Sequence, residues 1–182
     1  MTEIRWHGRG GQGAFTAARL LGVAVTLFEH RHALAFPSFG PERRGSPVLG
    51  FTRIGNQKIS DRSIITQCDV VVVLDDTLLD PQVLNGLKAG GLLLVNTAHS
   101  ELPIIIPDYV RPVLVDATTL AWQHLGRPIS NTAMLGVLAA VSDLVTLNSL
   151  LAAVRHEMKG SSVEKNSALL KDTFRTFGGQ LK

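Results

Sequence analysis

The stretch that most constrains the fold is a glycine-rich hexapeptide, Gly8-Arg9-Gly10-Gly11-Gln12-Gly13, near the start of the chain. A short strand-like run, Ile4-Arg5-Trp6-His7, leads in, and a helix-forming run from Ala14 to Leu21 leads out. Strand, glycine loop and helix in that order aim unpaired backbone N–H groups at one point, an arrangement suited to a phosphate. Glycine permits positive φ and the close approach of a ligand to the backbone. The spacing fits G-x-G-x-x-G. A dinucleotide site also needs an acid at the end of a second strand, roughly 20 residues further on. Here that region holds His30-Arg31-His32 and a proline-rich stretch, and the nearest acid, Glu29, falls on the helix. No Gly-Lys-Ser/Thr follows the loop, which excludes a P-loop.

The remaining chain alternates strand and helix patterns. Apolar periodicity predicts helices over 14–29, 77–88, 118–125, 131–144, 148–158 and 163–176. Gly90-Gly91 is read as the end of the second of these. Residues 69–75 and 92–96 are continuous apolar runs, as expected of strands buried on both faces of a parallel sheet. Residues 112–116 form another strand, and Ile104-Ile105-Ile106, between two prolines, is placed at an edge or in a connection. Residues 48–54 alternate as a strand, with a turn at Gly55-Asn56-Gln57 into a partner at Lys58-Ile59-Ser60. The prolines and glycines of 30–47 argue for a long functional loop without regular structure. The fold class expected is therefore α/β: three-layer, with a mostly parallel sheet flanked by helices and a β-hairpin inserted after the first helix. One domain spanning residues 1–182 accounts for the length.

Composition narrows the function classes. The chain is 45% hydrophobic and 18% charged, against about 25% charged in an ordinary soluble domain, a hint that part of its surface is covered by partners. The net charge of +3 is too small and too scattered to argue for nucleic acid. No run reaches the ~18 apolar residues of a membrane span. The N-terminus lacks the basic-then-apolar pattern of a secretory signal, so a cytoplasmic location is expected. Cys68 stands alone in the sequence and reads as a small buried hydrophobe, so this chain by itself offers no cysteine-ligated cluster.

Four segments together carry more than any one of them: residues 6–13, Phe36-Pro37-Ser38-Phe39-Gly40-Pro41-Glu42-Arg43-Arg44-Gly45, residues 127–136 and Glu164-Lys165-Asn166. In this combination the chain resembles, over essentially its whole length, the gamma subunit of 2-oxoacid:ferredoxin oxidoreductases, of which the pyruvate enzyme (pyruvate synthase) is the best-known member. The resemblance implies a component of an enzyme that oxidatively decarboxylates a 2-oxoacid on thiamine diphosphate. Electrons would pass through [4Fe–4S] clusters to ferredoxin, and the acyl group to coenzyme A. It implies alpha, beta and delta subunits as partners; these carry the thiamine diphosphate, magnesium and clusters, and this chain is not catalytic alone. It further implies a role for this chain beside the active site, in coenzyme A access.

Coenzyme A carries phosphates, and the loop Gly8, Arg9, Gly10, Gly11, Gln12 and Gly13 could meet one of them, with Arg43 and Arg44 as bidentate contributors. Salt bridges to partner subunits are an equal reading for Arg43 and Arg44. Asn131 reads first as the N-cap of the 132–144 helix and second as a polar contact to a ligand. His7 reads as a packed strand-end histidine ahead of an acid/base group, and Asp75 as a strand-end residue where open α/β sheets bind ligands. Phe36 and Phe39 are expected as interface or core anchors, with exposed apolar surface around them giving a homodimer when the chain is isolated. A stand-alone nucleotide- or coenzyme-A-binding module and a purely architectural subunit are the competing functions.

Overall fold

The computed structural model describes residues 1–38 and 45–178. Its centre is a six-stranded sheet formed by β1 (Thr2–Arg9), β2 (His32–Pro37), β3 (Pro47–Gly55), β4 (Cys68–Val73), β5 (Leu87–Asn96) and β6 (Arg111–Val115), in the order β2-β3-β1-β4-β5-β6. β1, β4, β5 and β6 run parallel, while β3 lies antiparallel to both β1 and β2. The helices are α1 (Ala14–Phe28), α2 (Ala117–Leu125), α3 (Asn131–Val141), α4 (Leu147–Glu157) and α5 (Ser161–Phe177).

All five helices pack on one face of the sheet. Ile4, Trp6, Val70, Val72, Leu92 and Leu94 point from the strands into that core. The alternate residues Phe51, Val71, Val73, Leu93 and Val95 face the other way, as period-two geometry requires. There the covering layer is irregular: Ile65, Leu79, Val83 and Val110 close the second core, with Ile104 and Ile106 packed against it. The third layer of this α/β fold is thus built from loops and short turns. α3 and α5 approach closely at Gly136, where a Cβ would lie 2.0 Å from Thr173 Oγ1.

Several local expectations need correction. The hairpin that follows α1 joins β2 to β3, not residues 48–54 to Lys58-Ile59-Ser60. Strand β3 has β1 on one side and β2 on the other, so no edge is left for residues 58–60. Strand β2 was hidden by the prolines around it, yet Pro37 only terminates it, at the sheet edge where proline is tolerated. Ala33 and Ala35 are small enough to sit against Gly22 of α1.

The predicted 77–88 helix is instead two single 3₁₀ turns, Asp76–Leu78 and Pro81–Leu84. Asp75 and Asp80 each begin a turn by accepting backbone N–H groups, and Gly86, at φ +77°, reverses the chain beneath the Thr66 carbonyl. Strand β5 therefore starts at Leu87, and Gly90-Gly91 form an irregularity inside it rather than a helix end.

Phe36 is not an exposed anchor. It is buried, 5.2 Å from the Phe51 ring, which removes the Phe36 part of the surface expected to drive self-association. Phe39 lies outside the described residues.

Candidate functional site

The glycine loop sits where sequence logic places it, between the end of β1 and the start of α1. Gly11 and Gly13 adopt φ +98° and +82°. Gly13 is the N-cap of α1 and supplies no side chain, so the first-turn amides are left without a capping group. At Gly13 a Cβ would fall 2.4 Å from Asn131 Nδ2. Asn131 is the first residue of α3, after Ser130, and not its N-cap. Its Nδ2 donates to the Gly13 carbonyl at 3.3 Å, which ties the start of α3 to the start of α1.

The loop is fastened from within. Arg9 N donates to Gln12 Oε1 at 2.7 Å and Gln12 N to the Arg9 carbonyl at 3.0 Å. Gly10 and the Gly45-Ser46 segment exchange backbone bonds at 2.8 and 3.1 Å. Each nitrogen of the Arg9 guanidinium has a partner: Nε donates to Asp75 Oδ2 at 3.1 Å, Nη1 to the Gly45 carbonyl at 3.2 Å and Nη2 to Thr77 Oγ1 at 2.8 Å. Gln12 Nε2 adds a bond to the same Asp75 oxygen at 2.8 Å, and Thr77 Oγ1 donates to Asp75 Oδ1 at 2.5 Å. Burial opposes ionisation of Asp75, but the bonds from Thr77 and Gln12 and the Arg9 charge outweigh it and hold the carboxyl below its ordinary value. Asp75 is therefore the anchor of the loop.

Beside this knot a crevice of about 710 Å³ opens at the C-terminal ends of the parallel strands, lined by Gly10, Gly11, Asn96, Thr97, Asp116 and Arg127 among others. Open α/β sheets bind ligands at this position. Asn96 is fixed by bonds from its Nδ2 to the Leu74 carbonyl and Thr118 Oγ1, both 2.9 Å. Asp76 accepts from Thr97 Oγ1 at 2.5 Å and Asp116 from Thr119 N at 2.9 Å. Acids thus line much of the crevice, and the features that suit an anion are Arg127 and the backbone of the loop.

The structure brings Gly8, Arg9, Gly10, Gly11, Gln12, Gly13, Asn131 and Asp75 into one neighbourhood. Arg43 and Arg44 lie outside the described residues. Thr77 and Asn96 were not singled out from the sequence; the signal available was a polar residue at or just past the end of a buried strand. His7 lies on the opposite face, where burial, with a contribution from Arg5, lowers its pKa to about 4. Cys68 is buried, and burial raises its thiol pKa to about 11, away from the range of a reactive thiolate.

Residues 3–176 match the family model described as pyruvate ferredoxin/flavodoxin oxidoreductase. The chain belongs to this family. It is 45% identical over 178 residues to the pyruvate/ketoisovalerate oxidoreductases common subunit gamma of Pyrococcus furiosus, covering 96% of each chain. It is 45% identical over 168 residues to the pyruvate synthase subunit PorC of Methanocaldococcus jannaschii, covering 92% of each. The crystal structure of the pyruvate oxidoreductase subunit PORC of Thermotoga maritima superposes with a TM-score of 0.82 at 35% identity, covering 96% of this chain and 95% of that one. These family members are subunits of an oxidoreductase, and the α/β class expected from the sequence is shared with the Thermotoga maritima structure.

Proposed function

We propose that this chain is the gamma subunit of a pyruvate:ferredoxin oxidoreductase and that it assists coenzyme A binding and assembly without catalysing the reaction alone. The observation that carries this reading is likeness over nearly the full length of both chains to relatives named as gamma subunits. In this reading the alpha, beta and delta subunits are its partners and hold thiamine diphosphate, magnesium and the [4Fe–4S] clusters. Ferredoxin accepts the electrons. Among the described residues no helix is long and apolar enough to cross a membrane.

The geometry of the loop supports a part in coenzyme A binding. With Arg9 held by Asp75, Thr77 and Gly45, the loop offers backbone N–H groups rather than a free guanidinium. A coenzyme A phosphate would meet the first-turn amides of α1, with Arg127 across the crevice and Arg43 and Arg44 as further contributors. Gly11 is the position at which to test this. A Cβ there meets no atom within 4 Å, so Gly11→Ala changes the surface a ligand would approach without a clash, while the strain of a side chain at φ +98° is read separately from the thermal midpoint of the complex.

In the complex coexpressed with its partner subunits, Gly11→Ala is expected to raise the KM for coenzyme A by about tenfold, because the added methyl group keeps a phosphate from the loop backbone, and to leave the KM for pyruvate unchanged. Unchanged values for both substrates would make the loop architectural. Purification of the native chain without any thiamine-binding or cluster-binding subunit would overturn the assignment itself.

A further inference from the structure

A larger cleft, of about 960 Å³, lies on the face of the sheet that carries no helices. Its walls are mainly apolar, with Val48, Leu49, Phe51, Ile65 and Val83 among them. Of the polar residues that also line it, two have buried atoms without a hydrogen-bond partner. Arg5 and His7 alternate along β1 and so share this face, while Ile4 and Trp6 point to the helices. Arg5 is only 8% exposed, and its guanidinium makes one hydrogen bond, from Nη2 to the Val83 carbonyl at 2.9 Å. Arg5 Nε is buried without a partner, and so is His7 Nε2. Among the described residues no carboxylate forms an ion pair with Arg5. Asp80, which also lines the cleft, spends Oδ1 on the backbone N–H groups of Gln82 and Val83.

A buried guanidinium with one neutral partner is costly, because removing the charge from water is repaid only by a good counter-ion and satisfied donors. Arg53, on the same face, shows what that looks like when it is met within the chain: Glu3 and Asp61 flank it as carboxylates. At Arg5 the missing element is an anion. Two residues apart on one strand, Arg5 and His7 have Cα atoms about 6–7 Å apart and send their side chains to the same face.

We propose that this cleft is a second binding site, for a small aliphatic carboxylate whose charged end meets Arg5 and His7 and whose chain lies along Leu49, Phe51 and Ile65. Arg5 supplies the charge. His7, kept neutral by burial, supplies a hydrogen bond without a second full charge. This site lies on the other side of the sheet from the helix cores and does not depend on the subunit assignment above.

Titration of the full-length chain with hexanoate and with hexanol tests it, followed by calorimetry and by the NMR signals of the His7 ring. Hexanoate is expected to bind about tenfold more tightly than hexanol, which has the same tail without the charge, and to shift the His7 signals. Arg5→Met should remove that difference. It should also leave the thermal midpoint of the unliganded chain unchanged or higher, because an uncompensated buried charge has gone. Equal binding of the two probes, unmoved His7 signals, or a sharp fall in the midpoint of Arg5→Met would each overturn the proposal. If hexanoate fails and a short peptide ending in glutamate binds in its place, the cleft takes an acid from a neighbouring polypeptide and the small-molecule site is wrong. The titration needs no partner chain, so its failure leaves the gamma-subunit reading intact.

Discussion

Arg53 and Arg5 lie on the same face of one sheet and are both almost wholly buried, at 3% and 8% exposure, yet their surroundings differ in kind. Arg53 Nε donates to Glu3 Oε1 at 3.0 Å, and Nη1 donates to the Asp61 carbonyl and sits 3.2 Å from Asp61 Oδ2. Its Nη2 donates to Ser63 at 3.2 Å, and its flat face lies over the Phe36 ring at 5.5 Å. That corner, at the start of β1, is closed. Arg5, halfway along β1, has one backbone carbonyl. The contrast separates an arginine that holds the fold together from one that the fold tolerates. Folding alone gives no reason for burying Arg5; binding does.

The comparison is broken first at Arg53. Arg53→Met strands Glu3 and Asp61 and should cost about 3 kcal/mol in urea unfolding, the low end for a broken buried pair because Asp61 faces solvent. Arg5→Met should cost nothing. Equal losses from the two variants would mean that both arginines are structural. His7 sharpens the same contrast through pH. Its folded pKa of about 4 lies below the ordinary 6.5, so between those values the unfolded chain takes up a proton that the folded chain refuses. Stability therefore falls as pH drops from 6.5 towards 4, by about 3 kcal/mol in all. His7→Leu should flatten that part of the pH–stability curve, and an unchanged slope would show that His7 is not the group responsible.

These differences also mark what was legible in the chain beforehand. α1, α4 and α5 were readable to within a few residues because their apolar positions repeat at helical spacing. β4 was readable as a buried parallel strand from its run of valines. Strand β2 was obscured because the prolines that follow it dominated a whole window, although the alternation from Ala33 to Phe36 was present. The 77–88 segment failed for the opposite reason: its apolar spacing suggested a helix, while Asp80-Pro81 and Gly86 imposed turns. The loop was found from its glycines. Its fastening to Asp75 was not, because that partner is 66 residues away in sequence and only the meeting of β1 with β4 brings the two together. Arg5 was passed over as one member of a short strand, and its significance lies in the partner it lacks, which no local pattern encodes.

The glycine loop lies at the other end of β1 from Arg53, and two smaller effects test how it is held. Gly13→Ala forces a side chain onto a residue at φ +82° and drives a Cβ into Asn131 Nδ2. The loss should be about 2 kcal/mol, read from chemical unfolding. The double change with Asn131→Ala should recover the steric share and leave the backbone share, which separates the Asn131 contact from the left-handed conformation.

Asp75→Asn is the gentlest test: it keeps the size of the side chain, removes the charge and turns one of the two acceptor oxygens into an amide donor. Arg9 is partly solvated, with 34% of its side chain exposed, so the ion pair it makes with Asp75 is worth less than the Arg53 pairs; the expected cost at neutral pH is about 1 kcal/mol. The sign with pH is the usual one for a carboxylate with a lowered pKa. The contribution is present above the ordinary carboxyl range and is lost as pH falls through the lowered folded value. The native chain and Asp75→Asn should therefore differ in stability at neutral pH and converge in acid. A gap that persists in acid would mean that the hydrogen-bond geometry of Asp75, and not its charge, fastens Arg9. In that case the loop would hold its shape independently of charge, and Arg9 would stay turned toward Asp75, leaving the backbone N–H groups of the loop as the donors that face the crevice.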